Sequence, residues 1–290
     1  MPIDYRYHIG SLVAVFLALL LGILIGIGLV GNPQEVERMV EGLRKDSETK
    51  DAEIAQLREA ERQADMLGRE TVAALIAGRL AGKRVAIVAD HDFGDDPLLD
   101  TLRGTLRSAQ ATIISTTVLT KAFVTLPPEV RRRVTRELNL YPPPGVYVRT
   151  IIAEAIARDI VRGNGSLILG LQRIGLLKAG TGFDYVTPPD VVLVIGGAKS
   201  ATEIAPERID LPLIKKLTEL GVRVVGVEAA GAGVSVTPLY KAAGVSTVDN
   251  ADTLSGRLAT VMALAGANGH FGVKDTADSF LPPIPALTRP

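Results

Sequence analysis

The chain opens on an almost unbroken apolar run, turns abruptly polar, and then settles into short apolar stretches separated by amphipathic ones. From Ile9 to Val30 the one polar side chain among 22 residues is Ser11, and about 20 helical residues span a hydrocarbon core of roughly 30 Å. The pattern predicts an N-terminal transmembrane helix. A secretory signal would carry a shorter apolar centre and a small-x-small cleavage site. Here the exit reads Gly31-Asn32-Pro33-Gln34, so a retained anchor is expected. Within it Ala14, Ala18, Gly22 and Gly26 recur at every fourth position, closing in a GxxxG. Such spacing lines one side of a helix and lets two backbones approach closely, which points to a paired anchor; Gly and Ala are also simply common in membrane helices.

From Pro33 to about Leu67 the chain is rich in Glu, Arg, Lys, Gln and Ala and has no proline after Pro33, which favours one long helix. Its apolar residues keep a seven-residue rhythm. Val36, Val40, Leu43, Ile54 and Leu57 fit a and d positions and Ala64 continues them, while Ser47, Lys50 and Glu61 interrupt. An interrupted seam makes a weak coiled coil that gains from an anchor holding two copies together. A lone helix packed on its own domain is the other reading.

Beyond "LAGKR" the rhythm changes to Val/Ile-rich runs at Arg84 to Ala89, Ala111 to Leu119, Asp190 to Gly196, Val222 to Glu228 and Val245 to Asp249. Between them lie amphipathic stretches such as "PLLDTLRGTLRSAQ", "IIAEAIARDIVRG", "LPLIKKLTELG" and "TLSGRLATVMALAG". Strands without alternation, joined by helices, predict an α/β fold with a Rossmann-like parallel-sheet domain covered on both faces. The stretch from Pro142 to Asp190 fits the repeat less clearly. The expected organisation is a tail and transmembrane helix over residues 1–31, a coiled-coil stalk over 32–78, the α/β domain over 79–270 and a Pro-rich tail over 271–290. That tail, "VKDTADSFLPPIPALTRP", reads as a disordered segment or a docking peptide.

Charge and composition narrow the chemistry. Lys plus Arg and Asp plus Glu balance at 32 each, and the longest basic run is Arg131 to Arg133, read as a solvated helix face, so no nucleic-acid partner is expected. There is no cysteine, hence no disulfide framework and no thiolate metal site. With no G-x-S-x-G and only His8, His91 and His270, no nucleophilic triad can be proposed and the protein is expected not to be an enzyme. Four scattered methionines offer no soft copper cluster, and no cofactor is expected beyond weak binding of copper or another metal.

Ligands gather at the carboxyl ends of strands in such sheets. The first end reads "ADHDFGDD", where Asp90, His91 and Asp92, with Asp95 and Asp96 nearby, can hold a hard cation or position a water. The competing reading is a helix start, Asp96 capping and Pro97 at the first helical position. The second is "VIGGAKSATE", where Gly196 and Gly197 can bring amides near a phosphate with Lys199 adding charge. It lacks the spacings of known phosphate loops, and a tight turn is the plainer reading.

Three stretches together resemble the MctB-like family of actinobacteria and firmicutes, named after the mycobacterial copper transport protein B. They are "HIGSLVAVFLALLLGILIGIGLVG" before a heptad stalk, "VVLVIGGAKS", and "VSTVDNADTLSGRLATVMALAGANGHFGVKD". The most specific part is "STVDNADTLSGRLATVMAL" followed by "GANGHFG". The resemblance implies a single-pass protein of the cell membrane, amino terminus cytoplasmic and head outside. A plain count of Arg6 against Arg38, Arg44, Lys45 and Lys50 leans the other way. It also implies two roles. One is copper export or homeostasis. The other is a dimeric envelope or cell-division scaffold meeting a partner of thiamin-pyrophosphokinase-like fold and regulators of peptidoglycan hydrolases. One apolar helix cannot build a pore alone, so the scaffold is the leading expectation.

Overall fold

The computed structural model describes residues 5–30, 33–94, 96–180 and 185–283. Asp95 and residues 284–290 of the Pro-rich tail lie outside the described residues, as do the side chains of 5–9, 27–30, 33, 35 and 36, including Val36 of the expected seam. The chain divides between Met66 and Leu67 into two compact units.

The first unit holds α1 (Tyr5–Val30) and most of α2 (Pro33–Ile76). The side chains described on α1 run from Gly10 to Gly26, and Leu12, Phe16, Leu20 and Leu24 are all exposed. Among the described residues no helix is long and apolar enough to cross a membrane. Helix α2 runs unbroken for 44 residues. Strong helix formers sustain it, and i,i+4 pairs such as Arg44 with Glu48 at 2.9 Å add a few tenths of a kcal/mol each. Val40, Leu43, Ile54 and Leu57 stand exposed along it.

The second unit begins inside α2, where Val72, Leu75 and Ile76 turn into a core. There follow β1 (Arg84–Ala89), α3 (Leu98–Ser108), β2 (Thr112–Leu119), α4 (Lys121–Thr125), α5 (Pro128–Leu138), α6 (Val148–Arg162) and α7 (Ser166–Ile174). Then come β3 (Leu177–Ala179), β4 (Val191–Ile195), α8 (Asp210–Glu219), β5 (Arg223–Val227), α9 (Thr237–Ala242), β6 (Ser246–Val248), α10 (Leu254–Ala265) and β7 (His270–Phe271). The result is a mixed α/β unit on one seven-stranded sheet in the order β3-β2-β1-β4-β5-β6-β7. Every pairing is parallel except β2 with β3.

Why the strands read as continuous apolar runs is visible in their packing. Along β4, Val192 and Val194 enter one core while Val191, Leu193 and Ile195 enter the other. Along β1, Ala86 and Val88 oppose Val85 and Ile87 in the same way. One face is covered by α4 to α9, the other by the end of α2, α3 and α10. The five strands expected from sequence are present, trimmed by a residue at most ends. The edge strands β3 and β7 were not anticipated, because three and two residues carry too little periodicity to register. The poorly patterned stretch before β4 holds α6, α7 and β3, its two helices separated by Gly163 and Gly165, both with positive φ.

Two helical glycines separate backbone propensity from packing. A Cβ at Gly104 in α3 would meet nothing within 4 Å, whereas one at Gly256 in α10 would overlap the carbonyl oxygen of Asn250. Gly104→Ala is therefore expected to raise stability by about 1 kcal/mol. Gly256→Ala is expected to lower it by about 1–3 kcal/mol despite the same helix-propensity gain. Denaturant unfolding of the full chain in neutral detergent measures both; the same sign for the two would contradict the close packing at the start of α10.

Candidate functional site

Strand order reverses direction between β1 and β4: the connection from β1 leads outward to β2 on one side, and β4 starts the run to the other. Loops leaving two such strands part to opposite faces and open a crevice at their carboxyl ends. Here β1 delivers His91, Asp92 and Phe93, and β4 delivers Gly197, Ala198 and Lys199, to a cleft of about 260 Å³. Asp96, Glu203, Gly231 and Asp252 line it further. The two segments singled out in the sequence, about 100 residues apart, thus face one another.

Asp90 is buried, and its Oδ1 lies 2.6 Å from His91 Nδ1. Its other oxygen has no hydrogen-bond partner within ordinary reach, and the carboxyl is influenced by Asp210, the first residue of α8, and by the Gly197 amide. Asp210 is equally buried and accepts the Tyr240 hydroxyl at 2.7 Å. Burial lifts Asp90 above the ordinary carboxylate range against the pull of His91, and burial with the Asp90 charge lifts Asp210 well above it. Burial, then the Asp210 and Asp90 charges, hold the Tyr240 phenol well above its usual value. Burial and mutual repulsion thus favour the form in which the pair keeps one proton, since two ionised carboxylates close together in a dry interior repel strongly. A chain of polar side chains, His91–Asp90–Asp210–Tyr240, runs from the cleft wall into the layer of α8 and α9.

The glycine turn serves this chain. A Cβ at Gly196 would overlap the Tyr240 hydroxyl and stand 2.9 Å from Asp90 Oδ2, and Gly197 has φ +81° with Glu228 against it. The amides of Gly196 and Ala198 are spent on the carbonyls of Val227 and Val234 at 2.9 and 3.2 Å. Lys199 is exposed, and its backbone amide and that of Ser200 donate to Glu203 at 3.1 and 3.2 Å.

Asp92 pairs with Lys178 instead of joining Asp90, and Lys178 holds its carboxyl below the usual range. Asp96 accepts the Leu98 amide at 3.0 Å in a turn just ahead of α3, whose N-cap position is taken by Pro97 and not, as the sequence suggested, by Asp96. Among the described residues no group of three or more His, Cys, Asp or Glu side chains is placed to hold a metal.

Sequence reasoning overlooked Asp210, Tyr240, Glu228 and Asp249. Glu228, fully buried after β5, accepts Val236 N at 2.6 Å, Ser235 Oγ at 2.6 Å, Thr237 Oγ1 at 3.1 Å and Lys274 Nζ at 2.6 Å. Asp249, after β6, accepts Val273 N at 2.7 Å and Lys274 N at 3.0 Å. A signal was present: "VAIVAD", "VVGVE" and "STVD" each end a Val-rich strand on an acid.

The chain matches the family described as "Copper transport outer membrane protein, MctB" over residues 2–282, and it belongs to that family. No curated protein matches it.

The retained proton has a measurable cost. At pH values below the ordinary Asp range the folded and unfolded chains are both protonated. Above it the unfolded chain sheds protons the folded pair keeps, so this pair removes stability as pH rises toward its folded pKa. Asp210→Asn replaces the retained proton by an amide donor and ends that loss. The variant is expected to gain on the parent by about 1–3 kcal/mol between pH 4 and pH 8 in urea unfolding, one pKa unit being ~1.4 kcal/mol. A difference that stays flat with pH would refute the retained proton.

Proposed function

We propose that this MctB-family chain is a single-pass, membrane-anchored and dimeric scaffold that performs no catalysis and presents its α/β head to partners at the cell envelope. The observation that carries the proposal is α2: a 44-residue helix, mostly charged and polar over residues 34–65, with Val40, Leu43, Ile54 and Leu57 exposed at heptad spacing and Met39 exposed beside them. An apolar stripe of this kind on a water-facing helix is stabilised by a second helix.

The anchor is residues 9–30. Supporting it, α1 is apolar on all sides over its described side chains, and a helix of that kind is at home only in a core or a bilayer. Ala14, Ala18, Gly22 and Gly26 leave it open for close pairing, with nothing within 4 Å of a Cβ at Gly22 or Gly26. In this reading the amino terminus is cytoplasmic and the head lies outside. Its proposed partners are the bilayer, a second copy, a protein of thiamin-pyrophosphokinase-like fold and regulators of peptidoglycan hydrolases, the last two by family resemblance. The polar chain behind the cleft stiffens the head, with Gly196, Gly197 and Lys199 forming a turn on its surface.

The family's own description favours a second reading, copper handling, for which His91 with Asp90 and Asp92 is the proposed site. Copper titration of the full-length protein tests it. Binding tighter than ~10 μM, about 7 kcal/mol, that His91→Ala abolishes would support it, and weaker binding would remove it.

The scaffold reading is tested by disulfide trapping in cells, for which the absence of native cysteine provides a clean background. Val40→Cys and Leu43→Cys are expected to give crosslinked dimers on oxidation. Lys45→Cys, about half a turn away from Leu43, is expected to give far fewer. Equal crosslinking at all three positions, or none, would sink the paired stalk.

A further inference from the structure

The basic triplet of α5, which reads in sequence as a solvated face, borders a groove of about 450 Å³ lined by Arg131, Arg132, Thr135, Arg136, Tyr141, Pro142 and Val148. Its second wall forms because Asn139 adopts a left-handed conformation (φ +53°) that ends α5, after which the chain passes through Pro142, Pro143 and Pro144. Proline fixes φ, so this wall loses little freedom when something binds against it.

The arginines of this region divide into two sets. Arg133 is bound to Glu137 at 2.9 Å, Arg149 donates to the carbonyls of Phe123 and Thr125, and Arg208 lies 4.3 Å over the ring of Tyr147. Arg131, Arg132 and Arg136 have no ion pair or side-chain hydrogen bond among the described residues, and these three line the groove. No described acid lines it. Of the two acids on α5, Glu129 lies in its first turn and Glu137 is held by Arg133, which, ahead of the charges of Arg136 and Arg173, keeps the Glu137 carboxyl below the usual range. Tyr141 stands 64% exposed at the rim, an amphipathic ring turned to solvent.

We infer that this groove binds the phosphoryl group of a phosphate monoester, with the ester's organic body resting on Tyr141 and Pro142. Three guanidinium forks outnumber the two oxygens of a carboxylate. A phosphate monoester brings three terminal oxygens and a charge of about −1.5 to −2, and guanidinium geometry pairs with such oxygens two at a time. A lipid headgroup and a soluble ester share this chemistry. The inference is independent of the scaffold and copper readings, which use other parts of the chain.

The test is calorimetric titration of full-length protein in neutral detergent at low salt, with phenyl phosphate, short-chain phosphatidic acid and benzoate as probes. At least one phosphate monoester is expected to bind, and benzoate at least tenfold more weakly. Arg132→Gln and Arg136→Gln are each expected to weaken phosphate binding about tenfold. Tyr141→Ala is expected to weaken it a few-fold. Arg107→Gln, an exposed arginine of α3 on the opposite face of the sheet, is expected to leave it unchanged. Binding of phosphatidic acid alone assigns a lipid headgroup, and binding of phenyl phosphate assigns a soluble ester. Binding of neither, binding indifferent to the arginine variants, or benzoate binding as tightly would overturn the inference. Unchanged far-ultraviolet circular dichroism in the variants keeps a lost signal attributable to the groove.

Discussion

A parallel sheet sandwiched between two helical layers has no wet face, and that constraint organises the whole head. Val191 to Ile195 and Val85 to Ala89 are buried on both sides, so no polar side chain can be placed along them without an internal partner. Buried acids collect where the strands stop. Asp90, Glu228 and Asp249 each follow the last apolar residue of a strand, all are buried, and each is answered by donors or by a retained proton. Glu228 binds the start of α9 to the sheet, and Asp249 with Lys274 binds the segment after β7. The carboxyl edge is thus stitched from inside, and Gly196 and Gly226 are small because Tyr240 must lie across it: a Cβ at either would overlap that side chain.

Local pattern was sufficient for most of this architecture. Val/Ile-rich runs alternating with amphipathic helices pointed to a covered parallel sheet, and β1, β2, β4, β5 and β6 lie within those runs. Where the pattern was short it failed: β3 pairs antiparallel with β2 through Leu177 to Ala179, three residues whose place is fixed by partners over 50 positions away. The site was half legible. Asp90, His91 and the Gly196 turn stand out because they follow strands. Asp210 and Tyr240 lie among ordinary helix residues, and only the fold brings them to Asp90. The acids after β5 and β6 were visible in the text of the sequence and were passed over because each was weighed alone, when their repetition at strand ends was the signal.

The two compact units divide the physical work. The first buries little of its apolar surface within one chain: Leu43 and Leu57 are more than half exposed on a helix that charged residues keep in water. Such a helix is marginal alone, since propensity over many residues only offsets the cost of nucleation, and the interrupting Ser47, Lys50 and Glu61 limit what a partner can add. The second unit satisfies itself internally. In the proposed dimer a second copy would therefore add most where one chain buries least.

Overall neutrality conceals a strong segregation of charge. The span from residue 33 to 66 carries ten acids against six bases, whereas α5 carries Arg131, Arg132, Arg133 and Arg136 against Glu129 and Glu137. Net charge governs long-range steering, and near zero it excludes strong attraction to extended polyanions. It says nothing about a site a few ångströms across, because at physiological ionic strength the screening length is about 8 Å and the charges within that distance decide. A ligand at the α5 groove meets three guanidiniums that no described side chain has claimed. Composition excludes a polyanion-binding surface, and geometry still leaves room for a single anion of the right shape.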